Sequence, residues 1–122
     1  MDVTAKPAAA DCRRVSEILS RVGDKWTIQV VVALRAGSQR FNAIKRGIGG
    51  ISQQMLTRTL KTLERDGMVK RTVRPATPPQ VEYTLTPLGQ SLAETVRHLA
   101  NWAEAHTEEI KSNRIDYDTR QL

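Results

Sequence analysis

The hydrophobic positions along the chain recur with two different periods, and the changes between them predict its elements. Up to Asp66, apolar residues mostly recur every three or four positions, as they do on one face of an amphipathic helix. From Met68 to Leu85 they alternate with polar residues, which is typical of a half-buried strand. The helical spacing returns after Thr86. The pattern therefore predicts the order helix, helix, short strand, helix, helix, β-hairpin and long helix.

Two helices are predicted before the short strand. The first covers residues 11–22, with Asp11 as a candidate N-cap, and Asp24 is a candidate N-cap for the second. The second segment, KWTIQVVVALRAG, is apolar nearly all round and contains a valine run that would also suit a strand. Its length, the Asp24 cap and the closing Gly37 favour a helix.

Two further helices, joined by a glycine-rich turn, are predicted after a small strand over residues 38–40. FNAIKRGI suits a brief helix, and Ser52 is a candidate N-cap for a helix over residues 52–66 that ends at a left-handed Gly67. One face of the latter helix is formed by Met55, Leu56, Thr59, Leu60 and Leu63. The opposite, polar face is formed by Gln53, Gln54, Thr57, Arg58, Lys61 and Arg65.

A β-hairpin and a long helix complete the predicted fold. MVKRTVRP and QVEYTLT flank the proline-stiffened loop PATPP, and the inward-facing candidates are Val69, Val73, Val81, Tyr83 and Leu85. Thr86 is a candidate N-cap, with Pro87 at the first position, for a helix over residues 87–112. The predicted class is therefore mainly α with a small β-hairpin. Two short helices followed by a hairpin form the arrangement of a winged helix-turn-helix.

The length of 122 residues favours one domain. We place it over residues 11–112, between a flexible N-terminal arm over residues 1–10 and a frayed C-terminal tail over residues 113–122. Residues 35–74 contain ten Lys and Arg against two Asp and Glu, whereas residues 81–122 contain four against seven. This concentration of charge predicts one basic face and a polyanionic partner.

Several classes of function are disfavoured by what the sequence lacks. With one cysteine there is no intrachain disulfide framework, and no run of about 18 apolar residues suggests a membrane helix. No secretory signal is recognisable at the N-terminus, so we expect a cytoplasmic protein that does not bind membranes. No phosphate-binding glycine loop, GxSxG or HExxH motif occurs. One Cys and two His do not make a tetrahedral metal set. We therefore expect no enzymatic activity, no cofactor and no metal.

The polar face of the helix over residues 52–66 is the main candidate for chemistry. Its alternative interpretation is an ordinary solvated face, but it lacks the alternating charges typical of one. Glutamine and arginine bond adenine and guanine edges, so we predict that Gln53, Gln54 and Arg58 contact bases. Ser52, Thr57 and Lys61 are predicted to contact phosphates. The other DNA-binding candidates are Arg40, Lys45, Arg46, Arg71, Arg74 and Thr77, with Gln80 as a further wing contact.

Amphipathic helices at both ends of the chain predict a homodimer. A single winged helix would leave their apolar stripes exposed, and a twofold partner would cover them. The candidate interface residues are Val15, Leu19, Leu92, Val96, Leu99, Trp102 and His106. A dimer of this kind would bind a near-palindromic operator with half-sites about one or two helical turns apart.

Three segments together resemble a known family. GDKWTIQVVVAL, RFNAIKRGIGGISQQMLTRTLKTLERDGMVKR and PPQVEYTLTPLG are similar to the HxlR-type branch of the MarR-like winged-helix transcription regulators. The resemblance covers residues 12–102. It implies a dimeric DNA-binding repressor or activator with its recognition helix over residues 52–66 and its wing over residues 70–81. It also implies dimerisation through the first and last helices.

Cys12 is a candidate sensor of oxidants or electrophiles. The resemblance implies this role, because some family members sense aldehydes or oxidants through a cysteine near the start of the first helix. Relatives often have a proline next, where this chain has Arg13. The helix dipole and the cations of Arg13 and Arg14 favour a reactive thiolate, which Asp11 opposes. The alternative is a small apolar filler. For the whole chain, the alternative function is a winged-helix protein-interaction module that does not bind DNA.

Overall fold

The computed structural model describes residues 9–121, with side chains from Cys12 onward, and its elements follow the predicted order. They are α1 (Ala9–Val22), α2 (Lys25–Leu34), β1 (Gln39–Arg40), α3 (Phe41–Gly47), α4 (Gln53–Arg65), β2 (Val69–Arg74), β3 (Gln80–Leu85) and α5 (Pro87–Arg120). The fold class predicted from the sequence is confirmed. The predicted arm lies outside the described residues, except for its last two residues, which belong to α1.

Side-chain caps fix the start of three helices. The Asp24 carboxylate accepts hydrogen bonds from the backbone N–H groups of Trp26 and Thr27, at 2.9 and 3.2 Å. Ser52 Oγ accepts one from the Met55 N–H at 3.0 Å, and Thr86 Oγ1 caps α5 in the same way. Each cap satisfies N–H groups that have no partner within their own helix. The valine-rich second segment is therefore a helix, as its cap and length predicted.

Two predicted helix ends are wrong. α1 begins at Ala9, so Asp11 lies inside the helix and not at its N-cap. α5 continues to Arg120, eight residues beyond the predicted end at 112, so the predicted tail is helical over most of its length. No Gly or Pro interrupts it there, and extending an existing helix costs far less than starting one. The polar residues after position 112 therefore did not mark the end of α5.

The sheet has the order β1–β3–β2, and both pairings are antiparallel. Val69 lies opposite Leu85 at the base of the hairpin, where both side chains are buried. Val73 lies opposite Val81 near the tip, and Val73 is 50% exposed. The prediction that Val73 faces inward is wrong because hairpin residues near the tip extend past the helices that cover the base.

The core forms around α2. Val30, Val31 and Leu34 are fully buried, and α2 packs against α3, α4 and α5. The buried cluster also includes Ile44, Ile48, Ile51, Leu56, Leu60, Leu63, Val69, Leu85 and Ala93. The predicted apolar face of α4 thus lies in the core, with Met55 packed at its edge. In contrast, the side chains of residues 12–20 in α1 are all exposed.

The first turn of α5 touches the turn that follows α4. The Thr86 N–H donates to the Met68 carbonyl at 3.0 Å, and Thr86 Oγ1 donates to the Gly67 carbonyl at 2.6 Å. Gly67 adopts a φ of 78°, in the left-handed region predicted for it. A Cβ placed on the buried Gly89 would lie only 2.1 Å from the Met68 carbonyl oxygen. Gly89 thus permits the contact between α5 and this turn.

Gly89→Ala is expected to lower the free energy of unfolding by about 2–3 kcal/mol, because the added methyl group meets backbone and overpacks the contact. The matched control is Gly47→Ala, where a Cβ in the last turn of α3 meets no atom within 4 Å. The control should be neutral or slightly stabilising, since Ala favours helix over Gly. Urea denaturation of both variants would measure the difference. Equal stabilities would contradict the prediction.

Candidate nucleic-acid interface

The exposed face of α4 presents the side chains predicted to contact bases. Gln53, Gln54, Arg58 and Lys61 are exposed in the first two turns and the middle of the helix. Together with Thr57 and Thr62 they line one shallow surface. The core-facing side of α4 holds this surface rigidly, because Leu56, Leu60 and Leu63 are each buried to 98% or more. We call it the recognition face.

The cations of the recognition face have no ion-pair partner among the side chains that the structure describes. Within residues 12–121, neither Arg58 nor Lys61 has a carboxylate oxygen within 4.0 Å. Arg58 also lines a second groove, between the start of α2 and α4, together with Asp24 and Thr27. Unpaired surface cations are the groups that can neutralise a polyanion and release its counterions.

The hydroxyls of Ser52 and Thr57 both form hydrogen bonds with the backbone of α4, one as acceptor and the other as donor. Ser52 Oγ accepts the Met55 N–H, so its own O–H remains free to donate. Thr57 Oγ1 donates to the Gln53 carbonyl at 2.8 Å. The Thr57 hydroxyl would have to leave that bond before it could donate to a phosphate. Of the two, Ser52 is therefore the better placed donor, at the N-terminus of α4, where phosphates bind readily.

The start of α3 and the tip of the hairpin form two walls of a cleft, which we call the wing cleft. Its polar lining includes Arg40, Asn42 and Arg46 on one side and Thr77 and Gln80 on the other. The Arg40 guanidinium donates to the Gln80 side-chain oxygen at 2.7 Å and thereby connects the two walls. Four residues predicted separately from the sequence, Arg40, Arg46, Thr77 and Gln80, thus line one cleft. Lys45, also predicted, is exposed in the last turn of α3.

The two predicted arginines of β2 have different surroundings. Arg71 lines a cleft between α4 and the sheet, together with Phe41, Lys61 and Tyr83. Arg74 lies at the end of β2, where its guanidinium is 3.2 Å from the Glu82 carboxylate. This ion pair reduces the charge that Arg74 offers to a polyanion. It could not be predicted from spacing, because it depends on the hairpin register.

The predicted dimerisation residues are exposed or half-exposed in the single chain. Leu99 is 59% and Trp102 55% exposed, and on α1 Val15 is 56% and Leu19 61% exposed. Leu92, Val96 and His106 are half-buried. The indole of Trp102 stacks on the His106 imidazole with the ring centroids 4.6 Å apart. Trp26 packs against the core, whereas Trp102 lies on the surface.

Cys12 is exposed on the first turn of α1. It therefore does not fill a gap in the core of the single chain, and the apolar-filler interpretation is wrong at that level. Its position near the helix start agrees with the sequence prediction, although α1 begins at Ala9, three residues before Cys12.

Among the described helices, none combines the length and the apolar character that a membrane-spanning helix needs.

Some contacts next to the interface had no signal in the sequence. Arg21, in the last turn of α1, is hydrogen-bonded at 3.1 Å to Asp66, the C-cap of α4. Ser38 and Thr84 pair through their hydroxyls at 2.5 Å beside β1. All of these partners are more than 40 residues apart, so only the tertiary structure brings them together.

The geometry defines a winged helix-turn-helix protein. α3, the glycine-rich turn and α4 form the helix-turn-helix, and β2 and β3 form the wing. A model of the HxlR-like helix-turn-helix family matches residues 21–111. The chain belongs to this family of transcriptional regulators, and its fold is that of the MarR-like winged-helix regulators.

Relatives and solved structures agree with this assignment. The chain is 45% identical over 94 residues to the uncharacterized HTH-type transcriptional regulator YtfH of Escherichia coli (strain K12), covering 77% of this chain and 75% of that protein. It is similar to the redox regulator HypR in its reduced form, with 36% identity, a TM-score of 0.74 and coverage of 81% and 98% of the two chains. Diamide-treated YodB from B. subtilis is 36% identical, with a TM-score of 0.67 and coverage of 75% and 91%.

Proposed function

We propose that the chain acts as a homodimer that binds a specific double-stranded DNA operator and thereby regulates transcription. The observation that carries this proposal is the recognition face. Its exposed glutamines, and its two cations that have no ion-pair partner within residues 12–121, lie on the second helix of the helix-turn-helix. Membership of a family of transcriptional regulators supports it.

In this proposal α4 enters the major groove. Gln53, Gln54 and Arg58 contact base edges, and Ser52 and Lys61 contact the phosphates that flank them. The wing cleft faces the adjacent DNA backbone or minor groove, so that Arg40, Arg46 and Thr77, which line it, contact the DNA there. Three further residues, Thr57, Arg71 and Lys45, are proposed as weaker DNA contacts. Arg74 contributes less than its charge suggests, because Glu82 pairs with it.

The partly exposed apolar stripe of α5 supports dimerisation. Its 34 residues span about 51 Å, and Leu92, Val96, Leu99, Trp102 and His106 recur along it every three or four positions. α1 adds exposed Val15 and Leu19. Burial of one large apolar side chain stabilises an interface by about 1.5–3 kcal/mol. A twofold partner is therefore the occupant we propose for this stripe, and a near-palindromic operator follows from the symmetry.

Selection of DNA from a random duplex pool would test the proposed function. We expect a near-palindromic sequence to be enriched, and its affinity to fall steeply as salt rises, because cations of the protein displace counterions. Enrichment of no sequence, or binding that does not depend on salt, would contradict DNA recognition. That outcome would favour the protein-interaction module instead.

We further propose that oxidants regulate this activity through Cys12. The thiol is exposed, and HypR and YodB, which are similar in structure, are a redox regulator and a protein solved after diamide treatment. The sole cysteine of the chain can form a protein disulfide only with another chain. Two thiols would lose two electrons and two protons to an oxidant such as diamide and form one S–S bond.

Diamide is expected to produce a covalent dimer of the wild type and none of Cys12→Ser on a non-reducing gel, and to change operator affinity of the wild type alone. Dithiothreitol should reverse both effects, since a disulfide can be reduced whereas higher oxidation states of cysteine cannot. Operator binding by reduced Cys12→Ser serves as the control and should equal that of the reduced wild type. An oxidised wild type with neither a crosslink nor altered affinity would contradict redox control.

A further inference from the structure

The helix α1 has little attachment to the body of the domain. All side chains from Cys12 to Ser20 are exposed. α1 ends at Val22, and the N–H of the following Gly23 donates to the Leu19 carbonyl at 2.8 Å. Val15, Ile18 and Leu19 of α1 are each more than half exposed. A helix placed in this way has its orientation set by a few contacts at its C-terminal end.

Arg21 makes one of those contacts. Its Nη1 lies 3.1 Å from Asp66 Oδ1, and its Nη2 lies 2.9 Å from Glu17 Oε1. The Arg21 side chain is 37% and the Asp66 side chain 20% exposed. A partly buried pair is screened less by salt than an exposed one. Glu17 precedes Arg21 by one turn, which is the favourable order for an ion pair along a helix, and it orients the guanidinium.

Asp66 occupies the point where the recognition helix meets the wing. It is the C-cap of α4, with its N–H bonded to the Thr62 carbonyl at 3.0 Å, and β2 begins at Val69. A carboxylate at a helix C-terminus is unfavourable, because the helix dipole places negative charge there. Asp66 therefore does not stabilise α4 by itself, and the cation of Arg21 compensates the charge.

We propose that Arg21 is a positioning residue that fixes the recognition helix and the wing relative to α1, and through α1 relative to the twofold partner. Arg21 does not contact DNA in this proposal. It sets the angle and distance between the two recognition helices of the dimer, and hence the spacing of half-sites that the dimer accepts. This inference rests on the proposed function.

Two duplexes containing the selected operator sequence test this role, one with both half-sites and one with a single half-site. Arg21→Gln and Asp66→Asn are each expected to weaken binding to the two-half-site duplex about tenfold, and the double variant no more than either single one. Binding to the single half-site should stay within about twofold. Inserting one base pair between the half-sites should weaken the wild type more than Arg21→Gln, because a loosened dimer adapts to the changed spacing.

Two further variants separate positioning from charge and from folding. Arg97→Gln removes the same charge from an exposed ion pair within α5, with Glu94, and should leave the preference for spacing unchanged. Arg21→Lys keeps one cation near Asp66 and should restore part of the preference, and thermal unfolding of each variant measures its folding. A spacing preference of Arg21→Gln equal to that of Arg97→Gln, or additive losses in the double variant, would overturn the inference. If the wild type itself binds neither duplex, the proposed function fails, and this inference with it.

Discussion

Leu99→Arg is expected to convert the proposed dimer into monomers and to weaken operator binding by two to three orders of magnitude, on the order of the advantage of linking two binding modules. Leu99 is 59% exposed in the single chain, so an arginine there does not disturb the protomer core. Within a dimer interface it would place two unpaired charges in an apolar stripe, which is strongly unfavourable. Analytical ultracentrifugation would measure the mass, and fluorescence anisotropy the affinity for the selected operator.

Asn101→Arg is the matched control. It adds the same charge to α5 two residues further on, about 200° around the helix and on the face opposite Leu99. Asn101 is exposed, and we expect this variant to remain dimeric and to bind DNA at least as well as the wild type. Circular dichroism would confirm that both variants are folded. A dimeric Leu99→Arg variant, or a monomeric one with unchanged affinity, would contradict the proposed interface.

Arg58→Lys is expected to weaken operator binding about 10- to 100-fold and to relax the preference at one base position. Lysine retains the charge but cannot make the two parallel hydrogen bonds that a guanidinium makes with guanine. Within residues 12–121 Arg58 has no acidic partner within ion-pair distance, so the change removes no ion pair of the described protein. Binding to duplexes substituted at each operator position would locate the affected base.

Lys61→Ala provides the comparison for a phosphate contact. Its loss should weaken binding to all duplexes about equally and reduce the slope of log affinity against log salt by about 1. The two variants thus separate base recognition from charge, since Arg58→Lys should leave the slope nearly unchanged. A uniform loss for Arg58→Lys would show that Arg58 binds backbone, and a change of base preference for Lys61→Ala would exchange the roles of the two residues.

Local signals in the sequence were sufficient for most element boundaries. Asp24, Ser52 and Thr86 each cap the helix that was predicted to follow, and Gly67 has the left-handed conformation predicted for it. These predictions succeeded because a capping side chain accepts hydrogen bonds from N–H groups only two or three residues further on. Tertiary structure is therefore not needed to identify it. The helical assignment of the valine-rich α2 depended on such a cap.

Predictions failed where the outcome depended on neighbours distant in sequence or on their absence. Val73 alternates correctly with its polar neighbours but lies near the hairpin tip, where its side chain is 50% exposed. No Gly or Pro ends α5 near position 112, and the helix continues to Arg120. Polarity along a surface helix marks solvent exposure and does not by itself mark an end.

The sequence by itself determined the order of the elements, the wet and buried faces of α4, and the concentration of positive charge, since each depends on residues close together in the chain. The tertiary structure decided which of those charges have a partner among the described side chains. It placed Arg40 beside Gln80 and Arg74 beside Glu82, and it joined Arg21 to the end of α4. Arg40 and Gln80, and Arg21 and Asp66, are 40 and 45 positions apart, so only the packing of the elements fixes the distances between them. The distance between Arg74 and Glu82 is set by the register of the hairpin.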